Sequence, residues 1–216
     1  MTTTRVTRGA KAAKPRLGRP PATDSAGTRQ RILDIARLSF AARGYDAATN
    51  RNLGAEAKIT AGAIYHYFGS KLDLYVAVHD DVQERVYARF EAAVRQPSTF
   101  RSKIDAVLES SFEMNCEDPS LAQFLGSARV DTRRNSELHE ALSRSSTARQ
   151  EFFDRIVRTG VASGEISGAN RAKVSALVLT LLIGLTDAVS GDPAQQRLAI
   201  DAIKSMLDGT LIRRVT

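Results

Sequence analysis

A single cysteine, Cys116, occurs in 216 residues, so neither an internal disulfide nor a cysteine-built metal cluster can hold this chain together. Histidine is almost as scarce. His79 stands beside Asp80 and Asp81, and His139 lies between Glu137 and Glu140, settings that predict solvated helix faces rather than ligands. Cys116 has Glu113 and Glu117 nearby, and acidic neighbours disfavour the thiolate that makes a cysteine reactive. Catalysis needs an activated nucleophile, a positioned acid and base, or a metal, and no such set is present. The chain also lacks an uninterrupted apolar run of about 18 residues, the length of a membrane span. Its richest stretch, 174–189, is shorter and contains Asp187. No apolar segment follows the basic N-terminus in the manner of a secretory signal. There is no strand-like alternation and no internal repeat. These absences predict a cytoplasmic, all-α protein that is not an enzyme, has no cofactor or metal and has no membrane partner.

The charge is unevenly placed. Lys and Arg number 31 against 24 Asp and Glu, for a net +7. Residues 1–27 hold Arg5, Arg8, Lys11, Lys14, Arg16 and Arg19 against Asp24 alone, so most of the excess is there. Without hydrophobic periodicity, this arm is expected to be disordered when free in solution. Its segment 15–21, Pro-Arg-Leu-Gly-Arg-Pro-Pro, resembles the Arg-Gly-Arg-Pro core of minor-groove arms, with Leu17 interrupting the pattern and Arg16 and Arg19 as the groove contacts. The alternative is a solvated tail that contributes only non-specific attraction to phosphates.

From Thr28 a 3.6-residue period sets in, with Ile32, Ile35, Ala36 and Phe40 on one stripe and Gly44 as a stop. Two short helices follow within 44–71. Thr49 caps the first, whose Leu53 and Ala57 face inward, and Lys58 and Ile59 make the turn. Thr60 caps the second. Ile64 and Phe68 are its inward stripe, leaving Ala61, Gly62, Ala63, Tyr65, His66 and Tyr67 on the other face. Small residues at its start permit close approach to a major groove, while hydroxyls, an imidazole and Lys71 are suited to phosphates and base edges. Arg51, exposed at the start of the first helix, suits bidentate contact with guanine.

Thr49, Arg51, Leu53, Ala57, Ile59, the run 65–68 and Ser70-Lys71 resemble the DNA-binding signature of the tetracycline-repressor (TetR) family. The detailed match covers roughly 28–78. Two positions depart from the pattern: Lys58 stands where the family usually has a turn glycine, and Gly54 where it favours alanine. The resemblance implies a homodimeric, ligand-released repressor that contacts DNA through Thr49, Asn50, Arg51, Thr60, Ala61, Gly62, Ala63, Tyr65, His66, Tyr67 and Lys71.

Ser70 begins a long helix through Leu72, Leu74, Tyr75, Val78, Val82, Val86 and Phe90, closed by Pro97. Further helices are predicted over 98–115, from Pro119 through Leu121, Phe124 and Leu125, over 136–163 with a break near 143–146, over 171–189, and over 193–212 behind Asp192. Residues 131–135 read as a mobile loop. The expected organisation is a basic arm at 1–27, a helix-turn-helix unit at 28–71, and an effector-binding and dimerisation unit at 72–216. Phe112, Phe124, Phe152, Phe153 and Thr180 are candidates for lining an effector pocket, although aromatics at helical spacing equally describe ordinary core. The helix at 171–189 is apolar almost all round and needs covering by its own domain and by a second subunit, with Val178, Leu182, Leu185, Ile203 and Leu207 as interface candidates. The function predicted is a DNA-binding regulator, most simply a repressor, acting on a palindromic operator as a dimer and released by a small molecule. A DNA-architectural protein without an effector is the alternative.

Overall fold

Side-chain oxygens at the helix starts determine where this chain turns. Thr49 accepts from Asn52 N at 3.2 Å, Thr60 from Ala63 N at 3.1 Å and Ser70 from Asp73 N at 3.0 Å. Asp192 accepts from Ala194 N at 3.0 Å just before Pro193. Each satisfies a backbone donor that the first helical turn leaves without a partner. The resulting computed structural model describes residues 25–189 and 192–212, apart from the side chains of 144–148 and 189. Its helices are α1 (Ser25–Ala47), α2 (Asn50–Ala57), α3 (Ala61–Phe68), α4 (Lys71–Ala93), α5 (Phe100–Glu117), α6 (Ser120–Arg134), α7 (Ser136–Ala162), α8 (Arg171–Val189) and α9 (Pro193–Leu207), with a 3₁₀ turn at Gly168–Asn170. No strand occurs among the described residues, and the fold is all-α.

Gly44 interrupts α1 as expected, with φ 76° and ψ 175°, a conformation open to glycine. The inward face of α1 differs from the expected stripe. Leu33 and Arg37 are buried beside Ile32, Ala36 and Phe40, while Ile35 is only half-buried. Arg37 is tolerated there because its Nε donates to Ser120 Oγ at 3.0 Å and a terminal nitrogen donates to Asp118 at 2.8 Å, tying α1 to the start of α6.

Four expectations are corrected. Residues 131–134 are the last turn of α6, not a loop, and Asp131 there is held by the Tyr45 backbone N–H near the end of α1 and by the Tyr75 hydroxyl on α4. The helix α7 runs unbroken through 143–146, and α9 ends at Leu207 rather than near 212. His79 is not on a solvated face. It is 7% exposed, packed near Phe124 at a centroid distance of 6.4 Å, and burial lowers its pKa to about 4 despite Asp80 alongside.

One hydrophobic core runs through the described chain. Near α1 it is built on Tyr75, whose ring meets Phe40 edge-on at 4.7 Å and Phe124 at 5.4 Å. Farther along α4, Tyr87, Phe90, Phe152 and Phe153 form a second aromatic cluster. The most extensive helix packing joins α1 to α6. By length and composition, 168–188 would also suffice to cross a membrane, but α8 packs against α6, α7 and α9, and its Asp187 pairs with Arg129 of α6.

Candidate nucleic-acid interface

The turn between α2 and α3 resolves the two departures noted in the sequence. Lys58 takes the left-handed conformation, φ 55° and ψ 40°, the geometry for which a glycine is usual. Gly54 has a packing reason. A Cβ there would lie 2.9 Å from Ile59 O and 3.2 Å from Ala61 N, so its absence lets the start of α3 close onto α2. Helix propensity is given up for close approach of two backbones.

The outward face of α3 has no comparable internal demand. A Cβ on Gly62 would meet only Thr60 Oγ1, at 3.9 Å. Tyr65 is 52% exposed, Thr60 and His66 are exposed, and Ala61 and Ala63 are half-buried, while Ile64 and Phe68 anchor the helix in the core. His66 and Tyr67 rings touch edge-on at 5.7 Å, and Tyr67 is partly packed on the core. Thr49 and Arg51 are exposed at the start of α2, and Arg51 makes no ion pair among the described residues. Asn50 presents a different picture: it is half-buried, and its Oδ1 has no hydrogen-bond partner. Arg16 and Arg19 lie outside the described residues.

Lys71 is the main revision on this face. Its ammonium donates to Tyr45 O at 2.7 Å and Ala48 O at 3.0 Å, and lies 4.1 Å from the centre of the Tyr45 ring. A longer approach to Asp46 O, at 3.5 Å, completes the surroundings. The cation is thus occupied with carbonyls following the Gly44 break, and its geometry assigns it to holding α4 against the end of α1 rather than reaching out to phosphate. Spacing alone could not distinguish these uses, because both place a lysine at the first turn of α4.

A cleft lies between α4, α5, α6, α7, α8 and α9, lined by Tyr87, Phe90, Met114, Phe153, Leu179 and the carboxamides Asn115 and Gln196. It encloses about 100 Å³ and adjoins a polar cleft of about 240 Å³ lined by His79, Gln83, Arg129 and Arg149. Of the five pocket residues expected, Phe153 alone lines the first cleft. Phe124 and Phe152 are buried core rings, Phe112 lies beneath the Arg197 guanidinium at 3.9 Å, and Thr180 faces outward with its hydroxyl donating to Ala176 O at 2.8 Å. Sequence reasoning missed the polar lining. Asn115 and Gln196 are both 4% exposed, with Asn115 Nδ2 donating to Gln196 Oε1 at 2.7 Å across 81 positions, a pairing no local pattern announces.

The interface candidates lie on different faces of the protomer. Val178 and Leu185 are buried within the protomer, and Leu182, Ile203 and Leu207 line a cavity with Phe100, Leu108 and the exposed Leu177. The uncovered stripe on α8 is instead Leu177, Thr180, Gly184 and Ala188, with Leu198 and Met206 exposed on α9. Helical periodicity marks α8 as a helix that needs covering but not which side of an almost uniformly apolar cylinder faces its own domain.

Residues 32–78 match the model for bacterial regulatory proteins of the tetR family. The HTH-type transcriptional repressor AcnR of Corynebacterium efficiens is 30% identical over 156 residues, covering 72% of this chain and 76% of that protein. The chain belongs to the TetR family. The HTH-type transcriptional regulator UidR of Escherichia coli (strain K12) is 29% identical over 191 residues, 88% of this chain and 95% of the relative. In fold, this TetR-family chain is similar to the transcriptional regulator FadR from Bacillus subtilis, solved in complex with stearoyl-CoA, with a TM-score of 0.70, 20% identity, and coverage of 87% of this chain and 99% of that one. The protein is therefore a helix-turn-helix transcriptional regulator, not an enzyme.

Proposed function

We propose that this TetR-family regulator is a cytoplasmic homodimeric repressor that reads a palindromic operator with α3 and is released by a small-molecule effector. The observation that carries this reading is the outward face of α3, where Gly62 has open space beside it and Thr60, Tyr65 and His66 are exposed. On this reading, residues 28–71 are the reading head, 72–216 bind effector and partner, and the basic residues of 1–27 add phosphate or minor-groove contacts. Thr49, Arg51, Thr60, Tyr65 and His66 are the proposed donors and acceptors toward DNA, with Ala61, Gly62 and Ala63 allowing close approach. Asn50 and Tyr67 lie beside them, and Lys71 acts by positioning the head.

The uncovered stripe of α8 and α9 supports dimerisation. In a two-fold pairing these helices form a four-helix contact and set two α3 helices about 34–36 Å apart, the spacing of successive major grooves. The stearoyl-CoA bound by FadR supports an effector role for the helical clefts here. An effector that favours one arrangement of α4 and α6 moves the head with them, because Lys71 joins α4 to the end of α1 and Asp131 joins α6 to Tyr45 and Tyr75.

The test is Leu177→Asp, which places a carboxylate on the uncovered stripe. Sedimentation should show a wild-type dimer at micromolar concentration and a folded mutant monomer that has lost tight operator binding, because simultaneous half-site engagement is gone. A wild-type monomer with full operator affinity would contradict the reading.

A further inference from the structure

We propose that the effector is a small organic acid whose carboxylate is held by Arg149 and whose apolar body occupies the neighbouring aromatic cleft. The inference rests on reading that cleft as the effector site. Gln83, Leu125, Arg129 and Arg149 line both the apolar and the polar cleft, so the two adjoin at a pair of guanidinium groups. The two arginines differ in kind. Arg129 is paired with Asp187, with Nε donating at 2.8 Å. Arg149 has no ion pair among the described residues, and its Nε is buried without a hydrogen-bond partner.

Arg149 is half-buried, and a guanidinium cannot shed its proton to relieve the buried Nε, so a bound anion that accepts from that nitrogen removes a cost. Arg149's charge is felt on both sides of the junction, where it lowers the proton affinity of His79 and of the Tyr87 hydroxyl. The acid lining the apolar cleft does not neutralise it. Asp118 is engaged by Arg37 and Ser120. Near His79, Asp80 lies 3.9 Å from Nδ1, beyond hydrogen-bonding distance.

His79 supplies a second donor. Gln83 Nε2 lies 3.3 Å from His79 Nε2, and an amide nitrogen only donates, so the imidazole proton resides on Nδ1. That atom is also buried without a hydrogen-bond partner. A cationic N–H without an acceptor, beside an imidazole N–H whose neighbouring carboxylate is 3.9 Å away, matches a ligand rich in acceptors and negatively charged. On the apolar side Asn115 donates to Gln196 and leaves its buried Oδ1 without a partner, which suits a hydroxyl or N–H on the ligand body. Tyr87, Phe90 and Phe153 supply the surface for the rest of that body.

The experiment uses the full chain and a panel of matched probes: aryl- and alkyl-carboxylic acids, each with its primary amide, followed by thermal unfolding and operator release. Acids should bind at least about tenfold tighter than their amides, seen as larger concentration-dependent rises in Tm. Arg149→Gln should bring the acid-to-amide ratio to about one without lowering the Tm of the ligand-free protein. Arg149→Lys keeps the charge but not the planar fork, and should retain a weaker preference for acids. Equal binding of acids and amides to the wild type, or an unchanged ratio in Arg149→Gln, overturns the proposal. If amides stabilise the protein and release the operator, the effector reading stands and the anionic class falls. If no member of either series does so, both fall.

Discussion

The Tyr75 hydroxyl on α4 donates to Asp131 Oδ2 on α6 at 2.9 Å, and the same oxygen accepts the backbone N–H of Tyr45 at 2.9 Å, just beyond the break at Gly44. Burial, and then the adjacent carboxylate, push the Tyr75 pKa up, so the phenol remains a neutral donor. Gly44 belongs to the same arrangement, since a Cβ there would approach Asp131 Oδ1 to 3.1 Å.

Removing this acceptor should therefore cost more than removing one donor. Tyr75→Phe is expected to destabilise the protein by about 1 kcal/mol, and Asp131→Ala by about 2–3 kcal/mol because two donors lose their partner. A double-mutant cycle by chemical denaturation should give a coupling above about 0.5 kcal/mol. Additive losses would show that the contact does not link α4 to α6.

That contact also shows where sequence reading reaches its limit. Capping by Thr49, Thr60, Ser70 and Asp192 depends on neighbours a few positions away, and all four caps are present. Asp131 reads as part of a loop because its local composition is polar, whereas its partners lie 56 and 86 positions away. Lys71 likewise reads as a phosphate ligand until Tyr45 O and Ala48 O are seen beside it. The clefts were least legible. Phe112, Phe124 and Phe152 share the helical spacing of Phe153, and only three-dimensional packing separates core rings from cavity walls.

Arg51 and Lys71 should consequently fail in different ways. Arg51→Ala is expected to leave thermal stability unchanged while weakening operator binding by about 1–3 kcal/mol and relaxing preference at one base pair. Lys71→Met should lower stability by about 2 kcal/mol and weaken binding to all duplexes alike, since it loosens the head. Unfolding curves and anisotropy titrations on operator and random DNA separate the two; a Lys71→Met protein of wild-type stability would return that lysine to the phosphate contacts.

His79 makes stability fall toward acid. Its folded pKa of about 4 lies below the ordinary 6.5, so between those values the unfolded chain binds the extra proton. The contribution is complete above pH 6.5 and is lost as pH falls toward 4. Between pH 7.5 and 5 it amounts to about 2 kcal/mol by linkage. Urea denaturation at both pH values should show His79→Gln losing about that much less stability than the wild type, and equal pH dependence would contradict the burial argument.

The central claim is that the exposed face of α3 reads sequence as part of a symmetric dimer. The most direct measurement is selection of bound duplexes by the full chain from a random pool, followed by titration of the enriched site at fixed salt. The account predicts two inverted half-sites and a preference of about 10³-fold or more over random DNA, lost when His66 and Tyr65 are both replaced by alanine. A pool with no enriched sequence, bound at the affinity of random DNA, would contradict it.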